Sequence, residues 1–382
     1  MEIVRPGSTG HSHGAGIPIQ TRNERLRSAN PAEHNAVSKT DEQWRYLDAE
    51  ALGGLDSALL GNAIDSIQTQ GPAAIERVDA TDSDFGRAGL PEDVATANGW
   101  AAATTALKIT VSGEQSEPTT VSIANPGKHS AAHLIIKSEA FARGVVVLDH
   151  TGDASIAETV EILVGDESEL TVISLQDWSE SAVHTSAQFA RIGRNAKLKH
   201  IVVSLGGKTV RISPTAEFTA PGGEVELLGT YFAGEKQFLE HRSYVDHAVA
   251  NCKSRVTYKG ALQGDGARTV WVGDVLIRQA AEGTDTYELN RNLLLTDGAR
   301  ADSVPNLEIE TGEIEGAGHA SASGRFDDEH LFYLQARGIN PLDAKRLVVR
   351  GFLNEVIQQI GIESLEARLN ESIEAELARS NN

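Results

Sequence analysis

Short apolar runs broken by small turn residues follow one another through the middle of this chain, and this pattern limits the possible folds more than any other feature. Turn glycines recur 13 to 15 residues apart, from Gly152 to Gly165 and from Gly193 through Gly207 to Gly222; Gly165 to Gly193 is about twice that spacing. Short strands at near-regular spacing are typical of an all-β fold. The apolar runs are 134–136, 145–148, 160–164, 170–173, 198–203, 225–228, 270–272 and 275–277.

Two all-β architectures fit this spacing. A β-sandwich would show the same turns, so the turns alone leave the choice open. A loosely repeated unit of glycine, polar, small and apolar residues favours a solenoid, in which each turn of chain covers the next. We therefore expect a solenoid of parallel strands over residues 105–322.

The segment before the repetitive region, residues 1–104, is predicted to be a flexible tail followed by a helical or mixed domain. Its first forty residues are rich in Gly, Ser, His and Asn and have no sustained apolar period. The leucines that follow keep helical spacing and predict a helix. They are Leu52, Leu55, Leu59 and Leu60.

The last sixty residues, 323–382, predict a C-terminal helical domain of three amphipathic helices. Asn340 followed by Pro341 is a typical N-cap with proline at the first helical position. Such helices can cap the end of a solenoid or offer a docking face. Their apolar stripe is larger than a cap requires, which favours docking; it comprises Leu331, Phe332, Leu334, Leu347 and Phe352.

Composition excludes several classes of protein. The single cysteine, Cys252, excludes an internal disulfide and a multi-cysteine metal site in the chain. A net charge of −20 disfavours binding to nucleic acid or anionic lipid. The first residues lack the apolar stretch of a secretory signal, and no apolar run is long enough to span a membrane. We expect a cytoplasmic protein.

Three short motifs suggest chemistry but lack the context that it needs. Residues 10–14, GHSHG, match a nucleophile elbow but lie in a polar tail rather than between a strand and a helix. Residues 206–209, GGKT, resemble the end of a phosphate-binding loop, but Val202 stands where that loop needs glycine. Cys252 could be a thiolate aided by Lys253 and Arg255, although a lone cysteine among strands is more often a small buried apolar residue. We expect no enzymatic activity.

A cluster of potential metal ligands follows near the end of the repetitive region. Glu308 and Glu310 alternate with apolar residues, which places both on one face of a strand. His319 follows within a run of Gly, Ala and Ser that would leave its imidazole accessible. An accessible imidazole could serve as a metal ligand or a proton carrier. The alternative, a solvated acidic edge with a loop histidine, is favoured for such a cluster taken by itself.

Five segments resemble the SufB/SufD family of iron–sulfur cluster assembly proteins. Residues 297–309 and 318–324 resemble the family signature and its "HGAT-G" position, and residues 332–339 match its "FYL-RGI" helix. Residues 290–295 resemble "N-NLLL", and residues 42–46 resemble its "E-WR" segment. The resemblance covers essentially the whole chain.

This resemblance implies a right-handed parallel β-helix and a SufD-type subunit. No cysteine lies between Ala299 and Asp302, and Ala320 follows His319, whereas SufB-type chains carry a cysteine and a glutamate at these places. It also implies a SufB-type partner bound through the end of the β-helix and a SufC-type ABC ATPase docked on the C-terminal helices. His319 would be the functional histidine of the family. Ala317 stands where some SufD chains have a cysteine. No cofactor would be bound permanently. Iron or a nascent cluster would be held transiently and shared with the SufB-type partner.

Alternatives remain at this point. A SufB-like cluster scaffold is disfavoured by the missing cysteine. A β-helix carbohydrate-active enzyme would be expected to carry a signal peptide and a carboxylate or arginine cluster along its groove, and the sequence shows neither. The residues leave open whether iron or flavin binds and whether the isolated chain forms a homodimer.

Overall fold

The computed structural model describes residues 25–325 and 328–379, without the side chains of 328–331 and 379. The first part of the predicted tail, with the GHSHG segment at 10–14, therefore lies outside the described residues, as does the side chain of Leu331. The described chain is mainly β, as predicted. Its strands are β1 (Gly61–Asn62), β2 (Ile67–Gln70), β3 (Ala74–Asp79), β4 (Thr105–Val111), β5 (Thr119–Ala124), β6 (Gly127–Ser138), β7 (Arg143–Gly152), β8 (Ala154–Val164), β9 (Glu169–Trp178), β10 (Val183–Ile192), β11 (Lys197–Ser204), β12 (Thr209–Phe218), β13 (Glu224–Ala233), β14 (Phe238–His247), β15 (Lys253–Leu262), β16 (Arg268–Ile277), β17 (Asp285–Leu294), β18 (Arg300–Ile309) and β19 (Gly316–Arg325).

From β4 onward the strands join two sheets alternately. One sheet has the order β18-β16-β14-β12-β10-β8-β6-β4-β3, with β1 beside β6, and the other has the order β19-β17-β15-β13-β11-β9-β7-β5-β2. The antiparallel pairs β3–β4 and β2–β5 lie at the N-terminal edge. Every later pair of neighbours in the described chain is parallel. The chain thus coils through about eight turns. The predicted parallel solenoid is confirmed, and the antiparallel sandwich is excluded.

One turn of the coil takes about 28 residues. Ser155 of β8 lies beside Val183 of β10, 28 residues later, and the turns lengthen to 32 residues between Arg268 and Arg300. Gly165 and Gly193 occupy equivalent corners, because each donates its amide to a strand end of the preceding turn. A Cβ on Gly193 would lie 2.5 Å from Asp166 Oδ1 and 2.8 Å from the Val164 carbonyl, so the corner admits only glycine. The glycine spacing seen in the sequence is therefore half a turn.

The main core fills the space between the two sheets. Alternate residues of each strand point into it, for example Ile156, Val160 and Ile162 of β8. The outer face of β6 and β8 is covered by helix α1 (Val94–Ala102), whose N-cap Asp93 accepts from Thr96 N at 2.8 Å. Strands covered on both faces are buried throughout, which explains their continuous apolar runs.

The helix expected through Leu52, Leu55, Leu59 and Leu60 is not formed. The segment has one 3-10 turn, Ala49–Leu52, that ends at Gly53 in the left-handed region, and Gly54 follows with φ 89°. These two glycines stop the helix, since glycine adopts positive φ without steric cost. Leu59 is 95 % exposed, whereas the other three leucines are buried. Within the described residues, 3-10 turns also occur at Pro31–Glu33, Glu42–Trp44 and Ile64–Ser66.

Three C-terminal helices follow the last strand, as predicted: α2 (Asp328–Ala336), α3 (Pro341–Ile357) and α4 (Glu363–Arg379). Asn340 caps α3 by accepting from Asp343 N at 3.0 Å. Instead of capping the solenoid end, α3 and α4 lie along the outer face of the sheet that contains β9, β11 and β13. Their apolar side chains form one buried cluster with that face; they include Val349, Leu353, Leu369 and Ile373, packed with Ile173, Val203 and Phe232.

Two ion pairs fix these helices to the sheet. Arg368 of α4 donates to both carboxylate oxygens of Asp149, at 2.8 and 2.7 Å. Lys259 of β15 is buried beneath α3, pairs with Glu355 and lies 5.0 Å from the centre of the Phe352 ring. The C-terminal helices are therefore part of the same packed body as the middle turns of the coil.

Candidate functional site

The C-terminal end of the solenoid is open. Among the described residues no strand pairs with the outer edges of β18 and β19, the last strands of the two sheets. Ile309 of β18, which lies on the same inner face as Leu307, is correspondingly 46 % exposed. An exposed strand edge offers unpaired backbone groups to another chain. The last turn therefore presents both a free edge and the mouth of the interior.

His319 lies on β19 at this open mouth. Its neighbour two residues earlier, Ala317, packs against the core between the sheets, so alternation directs His319 toward the same interior side. The imidazole is exposed, as the small residues around it predict. The histidine therefore combines access from solvent with a position at the mouth of the coil.

Glu288 of β17 is the register partner of His319 in the neighbouring strand. It is only 1 % exposed, and neither carboxylate oxygen has a hydrogen-bond partner among the described residues. Burial, with a smaller effect from the charge of Asp274, raises the pKa of Glu288 to about 8. Sequence reasoning missed this residue, because the spacing of the 285–294 segment does not tell which alternate face is the inner one.

Polar side chains surround this mouth. Asn292 Nδ2 donates to Ser303 Oγ at 3.0 Å and to Ser323 Oγ at 3.2 Å, and its Oδ1 accepts from Tyr231 Oη at 2.7 Å. Asn290 Nδ2 donates to Tyr231 Oη at 3.0 Å. The amides and hydroxyls thus satisfy one another and leave the Glu288 carboxyl outside their network.

The structure does not bring Glu308 and Glu310 together with His319. Leu307 packs toward the core, so Glu308 projects from the opposite, outer face of β18. Glu310 follows the end of that strand and accepts from Gln279 N at 3.0 Å. Both are exposed. The carboxylate nearest to His319 in register is Glu288 instead.

The residues of the predicted docking stripe do not lie on one surface: some pack against the sheet and others are exposed to solvent. Phe352 packs against the sheet beside Lys259, and Leu334 is half-buried. Phe332 of α2 and Leu347 of α3 remain exposed, at 73 % and 49 %. Tyr333 and Leu342 are exposed beside them in the chain, at 57 % and 42 %. Exposed apolar side chains of this size on adjacent helices form a surface suited to a protein partner.

A second cluster of potential ligands is enclosed in the early turns, where His150, Glu158 and His184 converge without exposure to solvent. His150 Nε2 lies 2.8 Å from Glu158 Oε1, and His184 Nε2 lies 3.5 Å from Glu158 Oε2. Ser186 donates to Glu158 Oε2 at 2.7 Å. The chemical role of the cluster depends on where its protons lie.

The hydrogen-bond partners assign these protons. His150 Nδ1 faces the Leu175 carbonyl at 2.8 Å, so both ring nitrogens of His150 face acceptors and the ring is an imidazolium. Trp178 Nε1 donates to His184 Nδ1 at 3.1 Å, which leaves the His184 proton on Nε2. A metal ion at Glu158 would have to displace both of these protons. The cluster is therefore a buried ion pair rather than a fitting metal site.

The pKa shifts agree with this assignment. Burial alone would lower the pKa of His150, but the charge and hydrogen bond of Glu158 outweigh it and raise that pKa. Burial would likewise raise the pKa of Glu158, but His150 and then His184 hold it below its ordinary value. The pKa of His184 is lowered, mainly by burial.

The other short motifs are structural in this fold. Gly206 and Gly207 form a corner of the coil, where a Cβ on Gly206 would lie 2.0 Å from the Trp178 carbonyl oxygen. The Gly206 and Lys208 amides donate to carbonyls of the preceding turn, so they do not point at a phosphate. Cys252 is buried, and burial raises its pKa; Lys253 and Arg255 pair with Asp285 instead. Cys252 is therefore a small buried apolar residue of the core rather than a reactive thiolate.

Comparison with known proteins identifies the family to which the chain belongs. Residues 120–352, more than half of the chain, match the family model described as "SUF system FeS cluster assembly, SufBD core domain". The chain belongs to the SufBD family. The match runs from β5 into α3, and it includes the open mouth, α2 and the first part of α3.

Relatives agree with this assignment. The chain is similar to the iron–sulfur cluster assembly SufBD family protein Rv1462 of Mycobacterium tuberculosis, with 48 % identity over 350 residues that cover 88 % of each chain. It is 47 % identical to the SufBD family protein ML0594 of Mycobacterium leprae, over 88 % of this chain and 89 % of that protein. A more distant relative is slr0076 of Synechocystis, 27 % identical over 56 % of this chain and 47 % of its own length. No helix in the described part of the chain is long and apolar enough to cross a membrane.

Proposed function

We propose that this SufBD family chain acts as a SufD-like, non-catalytic subunit of an iron–sulfur cluster assembly complex. The observation that carries the proposal is His319, an exposed imidazole at the open mouth of a solenoid whose last strands have no strand beyond them among the residues that the structure describes. A SufB-type partner would cover this end, and transient iron or a nascent cluster would be shared across the contact.

The cysteine content supports the SufD-like assignment over a SufB-like scaffold. Iron–sulfur clusters are held mainly by cysteine thiolates. The one cysteine of this chain, Cys252, is buried and precedes β15, away from the last turn. Thiolate ligands at the open mouth would therefore come from the partner, while this chain would supply the imidazole.

A SufC-type ATPase would dock on the exposed face of α2 and α3. Phe332, Tyr333, Leu342 and Leu347 give this face the apolar area that a protein contact needs. ATP hydrolysis would come from that partner, since the GGKT segment is a corner of the coil.

The test of this proposal is the His319→Ala variant in the complex purified with its SufB-type and SufC-type partners. Because the imidazole is exposed, the free energy of unfolding should change by no more than about 0.5 kcal/mol. The complex should still assemble but contain less iron and sulfide than the wild type, measured per complex.

Ser321→Ala is the matched control, since Ser321 lies on the same face of β19, two residues further, and is also exposed. It should leave iron and sulfide content unchanged. Wild-type iron and sulfide in a stable His319→Ala complex would contradict the proposed role of this histidine.

A further inference from the structure

Glu288 is an acidic side chain that the fold encloses without giving it a partner. An uncompensated buried carboxylate is costly, and native proteins pair such groups with hydrogen-bond donors or cations. Glu288 is 1 % exposed, and within the described chain neither of its oxygens accepts a hydrogen bond. The nearby amides and hydroxyls bond one another instead. The site is thus built to hold a carboxylate but lacks its counter-charge.

The opposite sheet leaves space for this carboxylate. A Cβ on Gly273 of β16 would lie 2.8 Å from Glu288 Oε1 and 2.3 Å from the Trp271 ring. The Glu288 carboxylate therefore reaches across the interior to the facing sheet. Glycine at position 273 keeps the space open for both side chains.

His319 stands directly beside Glu288 on the solvent side. The two residues are register partners on adjacent parallel strands, which lie roughly 4.8 Å apart. No hydrogen bond or ion pair joins their side chains within the described residues. An imidazole and a carboxylate thus flank the same mouth, one exposed and one enclosed, and each keeps ligand atoms available.

We propose that Glu288 and His319 bind a ferrous ion at the mouth of the coil, with His319 as the outer ligand and Glu288 as the inner one. The inference rests on the proposed function and adds a ligand to it. Ferrous iron accepts imidazole nitrogen and carboxylate oxygen. The Glu288 carboxyl gives up its proton to solvent when the ion binds, and the ion supplies the counter-charge that the fold lacks. Water or a partner's side chains complete the coordination.

The test is anaerobic equilibrium dialysis of Fe²⁺ against the purified full-length chain. Wild type should bind the ion, and Glu288→Gln and His319→Ala should each weaken binding by about tenfold or more, the order seen when metal-site residues are lost. Glu288→Gln keeps the shape of the side chain and replaces a buried carboxyl, which its raised pKa of about 8 keeps neutral at pH 7, by a neutral amide, so its melting temperature should not fall. Glu288→Asp, which withdraws the carboxyl by one methylene, should also weaken binding.

Glu308→Gln is the control, because Glu308 is exposed on the outer face of the neighbouring sheet. It should bind Fe²⁺ as wild type does. No measurable Fe²⁺ binding by wild type, or wild-type binding by Glu288→Gln, would overturn the inference.

Iron and sulfide content of the assembled complex separates this inference from the proposed function. If His319→Ala lowers the content and Glu288→Gln does not, Glu288 is no ligand and the proposed function stands. If neither substitution lowers it, both are wrong. A loss in both variants, with the control unchanged, supports the two together.

Discussion

At the scale of single residues, two glutamates face the interior of the solenoid in opposite circumstances. Glu158 is bonded to the His150 imidazolium and to Ser186, and His184 lies close by. Glu288 is equally enclosed, yet it has no bonded partner in the described chain. The charge of Glu158 is therefore balanced by groups of the chain itself. An ionised Glu288 would need a cation from outside the described chain to balance its charge.

Glu158→Gln should therefore affect stability rather than iron. The substitution leaves the buried His150 imidazolium without its counter-charge, and breaking such a pair typically costs about 3 to 5 kcal/mol. Urea denaturation at pH 7 measures the loss. Ser186→Ala, which removes only one hydrogen bond to Glu158, should cost about 1 to 3 kcal/mol.

The iron content of the complex distinguishes the two possible roles of this cluster. A folded Glu158→Gln variant should assemble with wild-type iron content, because the protons of His150 and His184 already satisfy the site. Selective loss of iron from a variant that keeps its native fold would instead identify the cluster as a metal centre.

At the scale of secondary-structure elements, the sequence predicts the positions of strands and helices along the chain better than it predicts which side of each element faces the core. Alternating apolar runs located strands such as β8 and β9, and glycine spacing located the corners, since both depend on local chemistry. The cap of α3 was also readable, because Asn340 and Pro341 act on their own helix. Each of these signals is contained in a few neighbouring residues.

What the sequence could not supply was the inner face of each strand. In β17 and β18 both faces carry polar groups, so only the packed structure shows that Glu288 points inward and Glu308 outward. The placement of α3 and α4 was equally inaccessible. It depends on contacts with strands far away in the chain, such as Arg368 with Asp149.

The exposed apolar face of α2 and α3 is the proposed docking surface for the ATPase, and single substitutions on it test this proposal. Phe332→Asp and Leu347→Asp should each abolish co-purification of the SufC-type ATPase, because a charge in an apolar contact is desolvated without a partner. Both side chains are exposed in the free chain, so the melting temperature should hardly change. Pull-down with the ATPase, alongside thermal unfolding, measures both effects.

Leu59→Asp is the matched control for this face, since Leu59 is also an exposed leucine but lies in the N-terminal segment. It should retain the ATPase. Undiminished binding by both helix variants would place the docking surface elsewhere. Point substitutions are preferable to deleting the helices, which would uncover the apolar side chains of the sheet beneath them.

At the scale of the whole molecule, buried neutral histidines make stability depend on pH. Burial lowers the pKa of His200 to about 4 and those of His241 and His247 to about 3, from 6.5. Between pH 6.5 and these lowered values the unfolded chain binds protons that the folded chain does not, so the contribution of these histidines to stability is full above pH 6.5 and falls as the pH drops. Glu288, with its raised pKa, opposes this by about one proton.

The three histidine protons, less the one glutamate proton, leave about two, so the free energy of unfolding should fall by at least about 3 kcal/mol per pH unit near pH 5. His184, whose pKa burial also lowers, acts in the same direction. Denaturation midpoints at pH 7, 6 and 5 measure this slope. His200→Leu should reduce the slope by about one proton, because neither nitrogen of His200 has a partner among the described residues. Equal stability at pH 7 and pH 5 would contradict the prediction.

The two ends of the coil also differ in what holds them. The antiparallel strands β2 and β3 pair with the first strands of the coil, and α1 covers the outer face of the early turns. The helices α3 and α4 cover the outer face of the middle turns. The last turn, with β18 and β19, has a neighbour on one side alone within the described chain.

In a solenoid each turn is stabilised by contacts with the turns on either side of it, so a terminal turn has half of these contacts. During synthesis on the ribosome the last turn of this chain emerges after the other turns, and in the finished protein it has one neighbouring turn in the described chain where an inner turn has two. The strand that carries His319 is thus a terminal strand of its sheet in the described chain. A partner bound against it would act as one further turn of the coil and stabilise it.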